Sequence, residues 1–382
     1  MSGPFFSRLD LAEFRNYARL SLDVGSGCIC LFGENGAGKT NILEAISVLG
    51  PGRALRGAEL ADMGRHDLAR GAAPNPKPWQ VSGRLHTASG PIQIAAGIED
   101  VQGAWRRFGR IDGAVSTPQK LASVLRLVWL TPNMDRLFAG PRSERLKFFD
   151  RLTFGLVPDH GAAVAGYERA LRERQKLLEE PAPDPAWLDA VEARAAAFAA
   201  DLVRARVDML RLLDAQIARA PRAPFPRAEI ALAGAMEAEA ASGADAPALA
   251  ARLQAAWRSG RPRDAQAGRC LAGPHRSDLL VRHTLKDQPA DASSTGEQKA
   301  LLIGIILAYA AALAARAPDA APILLLDEAA AHLDAARREG LAARLESLGC
   351  QAWLTGVDAS LFDAFSAAAP RIEIRDGAAR QL

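Results

Sequence analysis

Eight residues, G-E-N-G-A-G-K-T from Gly33 to Thr40, carry the plainest chemistry in the chain. The pattern G-x-x-x-x-G-K-[ST] turns successive backbone N–H groups towards an anion at a helix N-terminus, whose dipole favours negative charge. Gly33, Glu34, Asn35, Gly36, Ala37 and Gly38 would wrap the phosphates of a nucleotide. Lys39 would reach the β- and γ-phosphates, and Thr40 would offer its hydroxyl to Mg²⁺. A second pair of candidates, Asp327 and Glu328, closes the apolar run I-L-L-L. A strand that buried delivers its last residues to the edge of a sheet. There Asp327 would hold the cation directly or through water, and Glu328 would orient and deprotonate the attacking water. An apolar run ending in D-E also describes an ordinary strand end, so this pair takes its meaning from its company.

The third candidate is S-S-T-G-E-Q-K-A-L-L, Ser293 to Leu302. A small polar loop with a glycine leading directly into a helix makes another anion-seeking N-terminus. By itself it could be a plain N-cap, with Ser294 or Thr295 answered by Glu297. The D-E strand end follows about 25 residues later, and A-A-H-L-D (Ala330 to Asp334) follows that directly. The three together form an ordered set.

The elements that must position these residues are legible in outline. Leu9, Leu11, Leu20 and Leu22 mark alternating strands, and C-I-C-L-F (Cys28 to Phe32) is a short buried strand. The glycine loop follows at once, then a helix with Ile42, Ala45, Ile46 and Leu49 on one face. Strand, glycine loop, helix is the context a phosphate loop requires. From about Trp79 to Ile111 the chain alternates between glycine turns, which predicts a small antiparallel sheet. From Asp159 to about Val207 it is helical in period, interrupted by E-E-P-A-P-D-P. Between Pro221 and Gly268, prolines and glycines predict short segments. The last hundred residues return to α/β texture, with strands at I-L-L-L-D-E (Ile323 to Glu328) and Q-A-W-L-T-G (Gln351 to Gly356).

Composition sets the bounds. A chain of 382 residues is long for one core and predicts two lobes. With 49% hydrophobic and 24% charged residues it reads as globular rather than disordered. A formal charge of +3 is compatible with a nucleic-acid partner without arguing for one. Arg106, Arg107, Arg110 and Lys120 form a basic stretch that either meets phosphates or is a solvated face. Cys28, Cys30, Cys270 and Cys350 show no C-x-x-C pair and no histidines at ligand spacing, so they read as buried free thiols of a reducing cytoplasm. The N-terminus has no basic start followed by an apolar core, so no export signal is expected. The longest apolar run, Ala300 to Ala315, falls short of the roughly 20 residues a bilayer requires and predicts a buried helix, with no membrane partner.

The order of phosphate loop, insertion, S-x-G-E signature, D-E strand end and L-D loop resembles the ATP-binding-cassette superfamily. That resemblance implies that Ser294 and Gly296 act in trans on a nucleotide held by a second copy, and that Asp334 lies at the dimer interface. Further segments are similar to the RecF family of bacterial recombination mediators, in the SMC branch. They are F-R-N-Y (Phe14 to Tyr17), G-A-G-K-T-N-I-L-E-A-I, V-W-L-T-P (Val128 to Pro132), L-A-G-P-H-R-S-D-L (Leu271 to Leu279) and L-T-G-V-D (Leu354 to Asp358). The fold implied is α/β, an SMC-like P-loop head built from both ends of the chain, residues 1–150 and 268–382, with a mostly helical inserted lobe at 151–267 without long coiled-coil arms. The activity implied is a weak, DNA-stimulated ATPase working as a switch. With ATP and Mg²⁺ the chain would dimerise, bind single-stranded and gapped DNA, and help RecO and RecR load RecA, in DNA repair, replication and the SOS response to damage. No residue is assigned to DNA.

This chain departs from the family pattern in three places: Glu328 stands where a second aspartate is common, Pro132-Asn133-Met134-Asp135 where P-E-D is usual, and Ser277 where an aspartate is common. The competing reading is the ATPase subunit of a transporter. Against it stand F-R-N-Y, the long separation of Lys39 from the signature, and Thr355 in the neighbourhood where a transporter carries a histidine. A chromosome-structuring protein with long arms is excluded by the short, proline-broken insertion.

Overall fold

The computed structural model describes residues 3–50, 54–65, 78–221 and 223–382. The chain opens with β1 (Phe5–Phe14), β2 (Tyr17–Asp23), β3 (Cys28–Phe32) and α1 (Lys39–Leu49). Next come β4 (Trp79–Thr87), β5 (Gly90–Val101), β6 (Ala104–Ile111), β7 (Ala114–Val115), α2 (Pro118–Val124) and β8 (Leu127–Leu130). The middle holds α3 (Arg142–Leu156), α4 (His160–Leu178), α5 (Pro185–Arg219), β9 (Ala228–Ala233), α6 (Ala235–Ala241), α7 (Ala246–Ala267), β10 (Asp278–His283) and β11 (Gln288–Pro289). The last part is α8 (Thr295–Ala314), β12 (Ile323–Leu326), α9 (Ala335–Leu348), β13 (Ala352–Gly356), β14 (Arg371–Arg375) and β15 (Ala378–Gln381). Two units result: Met1–Asp135 with Ala220–Pro226 and Thr295–Leu382, and Arg136–Arg219 with Arg227–Ser294.

The first unit holds two six-stranded sheets. One runs β2-β1-β4-β5-β6-β7 and is antiparallel throughout. Its strands alternate in burial, as a sheet with one covered face must; in β1, Phe6, Leu9, Leu11 and Phe14 are buried. The other runs β15-β14-β3-β13-β12-β8 and is parallel except at β15. Its central strands read as unbroken apolar runs because both faces are covered; β12 and β13 are buried at every residue. Register sets Leu326 beside Leu130 and Leu354, and Thr355 beside Leu31. The carboxyl ends of β3, β12 and β13 therefore meet along one edge, the position at which open parallel sheets bind ligands.

Helix α1 packs Ile42, Ile46 and Leu49 into a core with Ile29, Leu31 and Trp353, all fully buried. Helix α8 is long and apolar enough to cross a membrane by length and composition alone, but 78% of its most apolar window is buried within the protein, as in a core helix. Cys28 and Cys30 share one face of β3, and burial pushes both thiols up to about 12. Cys350 is likewise buried, its thiol pushed up to about 11. These are inert packing groups.

The second unit departs from the sequence reading in three respects. Where short segments are expected, α7 runs for 22 residues through Pro262. Leu249, Leu253 and Trp257 bury a continuous stripe at a spacing of four, and that packing outweighs the one backbone donor a proline removes. The unit also contains a three-stranded sheet, β11-β10-β9, which a mostly helical lobe leaves out. Finally, the division falls after Asp135 and Ser294 rather than after 150 and 267. The reason lies in α3 and β10: Arg145 makes paired hydrogen bonds to Asp278 at 2.8 and 2.7 Å and caps the carbonyls of Phe138 and Gly140.

Candidate nucleotide-binding site

Gly33, at the end of β3, has φ 145°, and a Cβ there would run into the carbonyl of Ile374. Gly38 caps α1 with φ 112°, and its Cβ would meet the side chains of Asn16 and Tyr17. Both positions demand glycine by backbone conformation and by close approach. The loop is braced from F-R-N-Y. Asn16 Nδ2 donates to the Ala37 carbonyl at 3.2 Å, and Asn16 Oδ1 accepts from Asn41 at 2.8 Å. Arg15 makes two bonds of 2.8 Å to Glu44, whose side chain is fully buried in the middle of α1. The motif's chemistry is thus to hold the phosphate loop and its helix in place.

Lys39 Nζ donates to the carbonyls of Gly33 at 2.6 Å and Glu34 at 2.8 Å. Burial lowers its pKa, opposed by the carboxylates of Glu328 and Asp327. Thr40 Oγ1 donates to Asp327 Oδ1 at 2.9 Å, joining residues 287 positions apart. The same oxygen accepts from Thr355 Oγ1 at 2.8 Å, and Thr355 in turn accepts from the backbone N–H of Glu328 at 2.8 Å. Glu328 has φ 51°, a left-handed conformation that costs a β- or γ-carbon-bearing residue about 1–3 kcal/mol and persists only where its surroundings fix it. Its carbonyl accepts from Ala331 N–H at 3.1 Å and from Lys299 Nζ at 2.9 Å. Asp135, from the departure after V-W-L-T, pairs with that same lysine at 3.4 Å.

Gly33 to Thr40, Asp327 and Glu328 are therefore brought together. Ser294 lies exposed just before α8, and Gly296 has open space where a Cβ would go. Asp334 has a role within its own chain as N-cap of α9, accepting from Arg337 N–H at 2.8 Å. The basic stretch divides. Arg107 donates to the carbonyls of Val48 and Gly50, and Arg110 pairs with Glu99 at 2.8 Å over the Phe108 ring; Arg106 and Lys120 are exposed. Sequence reasoning missed Thr355 and Lys299. Thr355 is read there only as a missing histidine, although one hydroxyl inside a buried five-residue strand is itself a signal. Lys299 stands one position before a long apolar run, where a lysine reads as the polar start of a helix.

The site fits a magnesium nucleotide. A loop whose Gly33 and Gly38 leave no room for a Cβ, a lysine whose partners are two loop carbonyls, and one hydroxyl and one carboxylate at 2.9 Å suit a phosphate and a hard cation. Among the described residues no group of three or more His, Cys, Asp or Glu side chains could hold a metal alone. The cation's remaining ligands would come from phosphate and water, as Mg²⁺ ordinarily requires.

Comparison with known proteins agrees with this class. The model for the RecF/RecN/SMC N terminal domain matches residues 5–373, which makes the chain an α/β, SMC-type, ATP-binding-cassette-like protein. The DNA replication and repair protein RecF of Mesorhizobium japonicum is 46% identical over 373 residues, 97% of this chain and 96% of its own. That of Caulobacter vibrioides is 46% identical over 382 residues, 98% of each. A solved structure of the recombination mediator protein RecF-ATPrS in the RecFOR pathway superposes with a TM-score of 0.85 at 19% identity, covering 100% of this chain and 99% of that one. The chain belongs to the RecF family.

Proposed function

We propose that this chain is an ATP-switched DNA-binding protein of recombinational repair and replication-gap processing. ATP joins two copies into a dimer that grips single-stranded or gapped DNA, and hydrolysis releases it. RecO, RecR and RecA are the partners that family membership implies, and the relatives' names as DNA replication and repair proteins support the process. The observation that carries the reading is the hydrogen-bonded line Thr40–Asp327–Thr355–Glu328, which ties the Asp327 carboxylate and the backbone of Glu328 to the end of the phosphate loop.

Thr40 and Asp327 would hold Mg²⁺, which would supply charge neutralisation at the phosphate oxygens. Lys39 leaves its two carbonyls for those oxygens. Glu328 takes a proton from water as the water oxygen attacks the γ-phosphorus, and the bond to the β-phosphate oxygen breaks to release ADP. Ser294 and Gly296 complete the site of the second copy. The exposure of the serine and the open space over the glycine support that reading, because both leave surface that a second copy can reach. Asp334 lies beside that contact, in the L-D loop.

Lys39→Met tests the switch. Light scattering with ATP and gapped DNA is expected to show a monomer with weak DNA binding, against a DNA-bound dimer for the parent. A variant that still dimerises on ATP would remove the phosphate loop from the switch.

A further inference from the structure

Lys299 stands five residues after Ser294 on α8, but its ammonium group belongs by contact to the catalytic strand end. Its side chain is 4% exposed, and Nζ lies 2.9 Å from the Glu328 carbonyl oxygen. The peptide units either side of Glu328 are thereby fixed from two elements. Its N–H is held by Thr355 of β13, which also holds Asp327. Its C=O is held by Lys299 of α8 and by the Ala331 N–H of its own turn. A residue at φ 51° keeps that conformation only while such contacts hold it. Hydrogen bonds weaken steeply as they lengthen or bend, so a small shift of α8 would alter where the Glu328 carboxylate points.

We propose that Lys299 is a positioning residue, which fixes the left-handed backbone of Glu328 and so ties the aim of the general base to the placement of the signature helix. This rests on the reading of Glu328 and Ser294 given above. Its consequence is a coupling between the two nucleotides of a dimer. The start of α8 meets the nucleotide of the second copy, while Lys299, one turn further on, sets the base that attacks the nucleotide of its own chain. The plainer account makes Lys299 and Asp135 a buried ion pair that merely anchors α8, since Asp135 Oδ2 lies 3.4 Å from the same Nζ. The two accounts differ over Asp135: anchoring requires it, whereas positioning requires only the bond to the carbonyl.

The test uses the full-length protein with four changes: Lys299→Met, the double change Lys299→Met with Asp135→Asn (which leaves no carboxylate unpaired), Asp135→Asn alone, and Lys299→Arg. Binding of a fluorescent ATP analogue, ATP-dependent dimerisation and turnover at saturating ATP are measured for each, with Glu328→Gln alongside. Both Lys299→Met proteins are expected to bind ATP and dimerise like the parent, with turnover down by about tenfold, since small misplacements of a catalytic group cost one to two orders of magnitude. Asp135→Asn is expected to stay within about twofold of the parent, and Lys299→Arg to recover most of the rate, because its bond to the carbonyl survives. Parent-like turnover in the double variant, or an equal loss in Asp135→Asn, overturns the proposal while leaving Glu328 as the base. Normal turnover in Glu328→Gln would overturn both.

Discussion

In the first unit Lys39 donates to two loop carbonyls and Thr40 to Asp327. In the second, Arg174 is clamped between Glu192 at 2.8 Å and Asp264 at 2.7 Å, with its guanidinium 5.5 Å from the centre of the Trp257 ring. Arg261 adds a second cation to Glu192 at 2.7 Å. Nearby, Arg206 grips both oxygens of Asp150 at 2.7 and 2.8 Å, and His160 meets the same carboxylate at 2.9 Å. Both regions bury polar groups, but they do so to different ends. The bonds around the phosphate loop are short and exchangeable: phosphate oxygens can replace the carbonyls on Lys39, and a cation can replace the Thr40 proton on Asp327. These charges of the second unit already hold their counter-charges within the chain, so a ligand could enter there only by breaking a pair. The first arrangement is a site, and the second is a set of cross-ties among α3, α4, α5 and α7.

The comparison can be broken at either end. The largest effect is expected from Glu328→Gln, which keeps size and hydrogen-bonding reach but cannot take a proton. Turnover should fall by about 10²–10⁴-fold while ATP affinity and thermal stability stay at the parent's values. In the second unit Arg174→Met should do the reverse. Stranding buried carboxylates beside Trp257 is expected to cost about 3–5 kcal/mol, read as a lower denaturant midpoint for that unit. A parent-like midpoint would show that Arg261 alone satisfies Glu192 and that the clamp is redundant.

A smaller effect is expected from Thr355→Val. It removes the donor to Asp327 and leaves the Glu328 N–H without its acceptor, a loss of about 1–3 kcal/mol that should appear mainly as slower turnover. Thr355→Ser should restore the rate, and equal damage from both would reduce Thr355 to packing.

Acid should separate the regions more gently. His275 Nδ1 is 2.7 Å from the Tyr167 hydroxyl and Nε2 is 3.1 Å from the Cys270 carbonyl, a pattern that suits the neutral ring. Burial, reinforced by the charges of Arg276 and Arg142, lowers its pKa from the ordinary 6.5. The unfolded chain then binds this proton more readily than the folded one. The stability contributed is complete above pH 6.5 and declines as pH falls from there towards the folded value. Asp150 adds a second step: burial works to raise its pKa, but the bonds and charges of His160 and Arg206 outweigh that and hold it below 3.8. Its contribution is present above pH 3.8 and lost as pH falls through its lower folded value. Denaturant midpoints from pH 8 to 5 should fall modestly below about 6.5, and His275→Gln should flatten that decline.

The phosphate loop, the strand ends and the α/β texture were legible in the sequence because each is local: a glycine pattern, a run of four apolar residues, a strand followed at once by a helix. The partners of Asp327 were not, because Thr40 and Thr355 reach it only after strands distant in sequence are laid side by side. Helix α7 was obscured by Pro262, whose local cost is overridden by the Leu249–Leu253–Trp257 stripe. The limits of the second unit were hidden for a similar reason, since Arg145 and Asp278 meet across 133 positions. Glu328 in a left-handed turn is also invisible in one dimension, because nothing in D-E marks which of the two carries the strain.

The most direct test of the central claim, that ATP is shared between two copies through an exposed signature, is Ser294→Arg. Nucleotide binding by the monomer and ATP-dependent mass by light scattering are measured on one preparation. The account predicts parent-like ATP binding, because Lys39, Thr40 and Asp327 are untouched, together with no dimer and no turnover. Loss of ATP binding by the monomer, or a dimer that forms regardless, would place Ser294 outside the shared site and contradict the account.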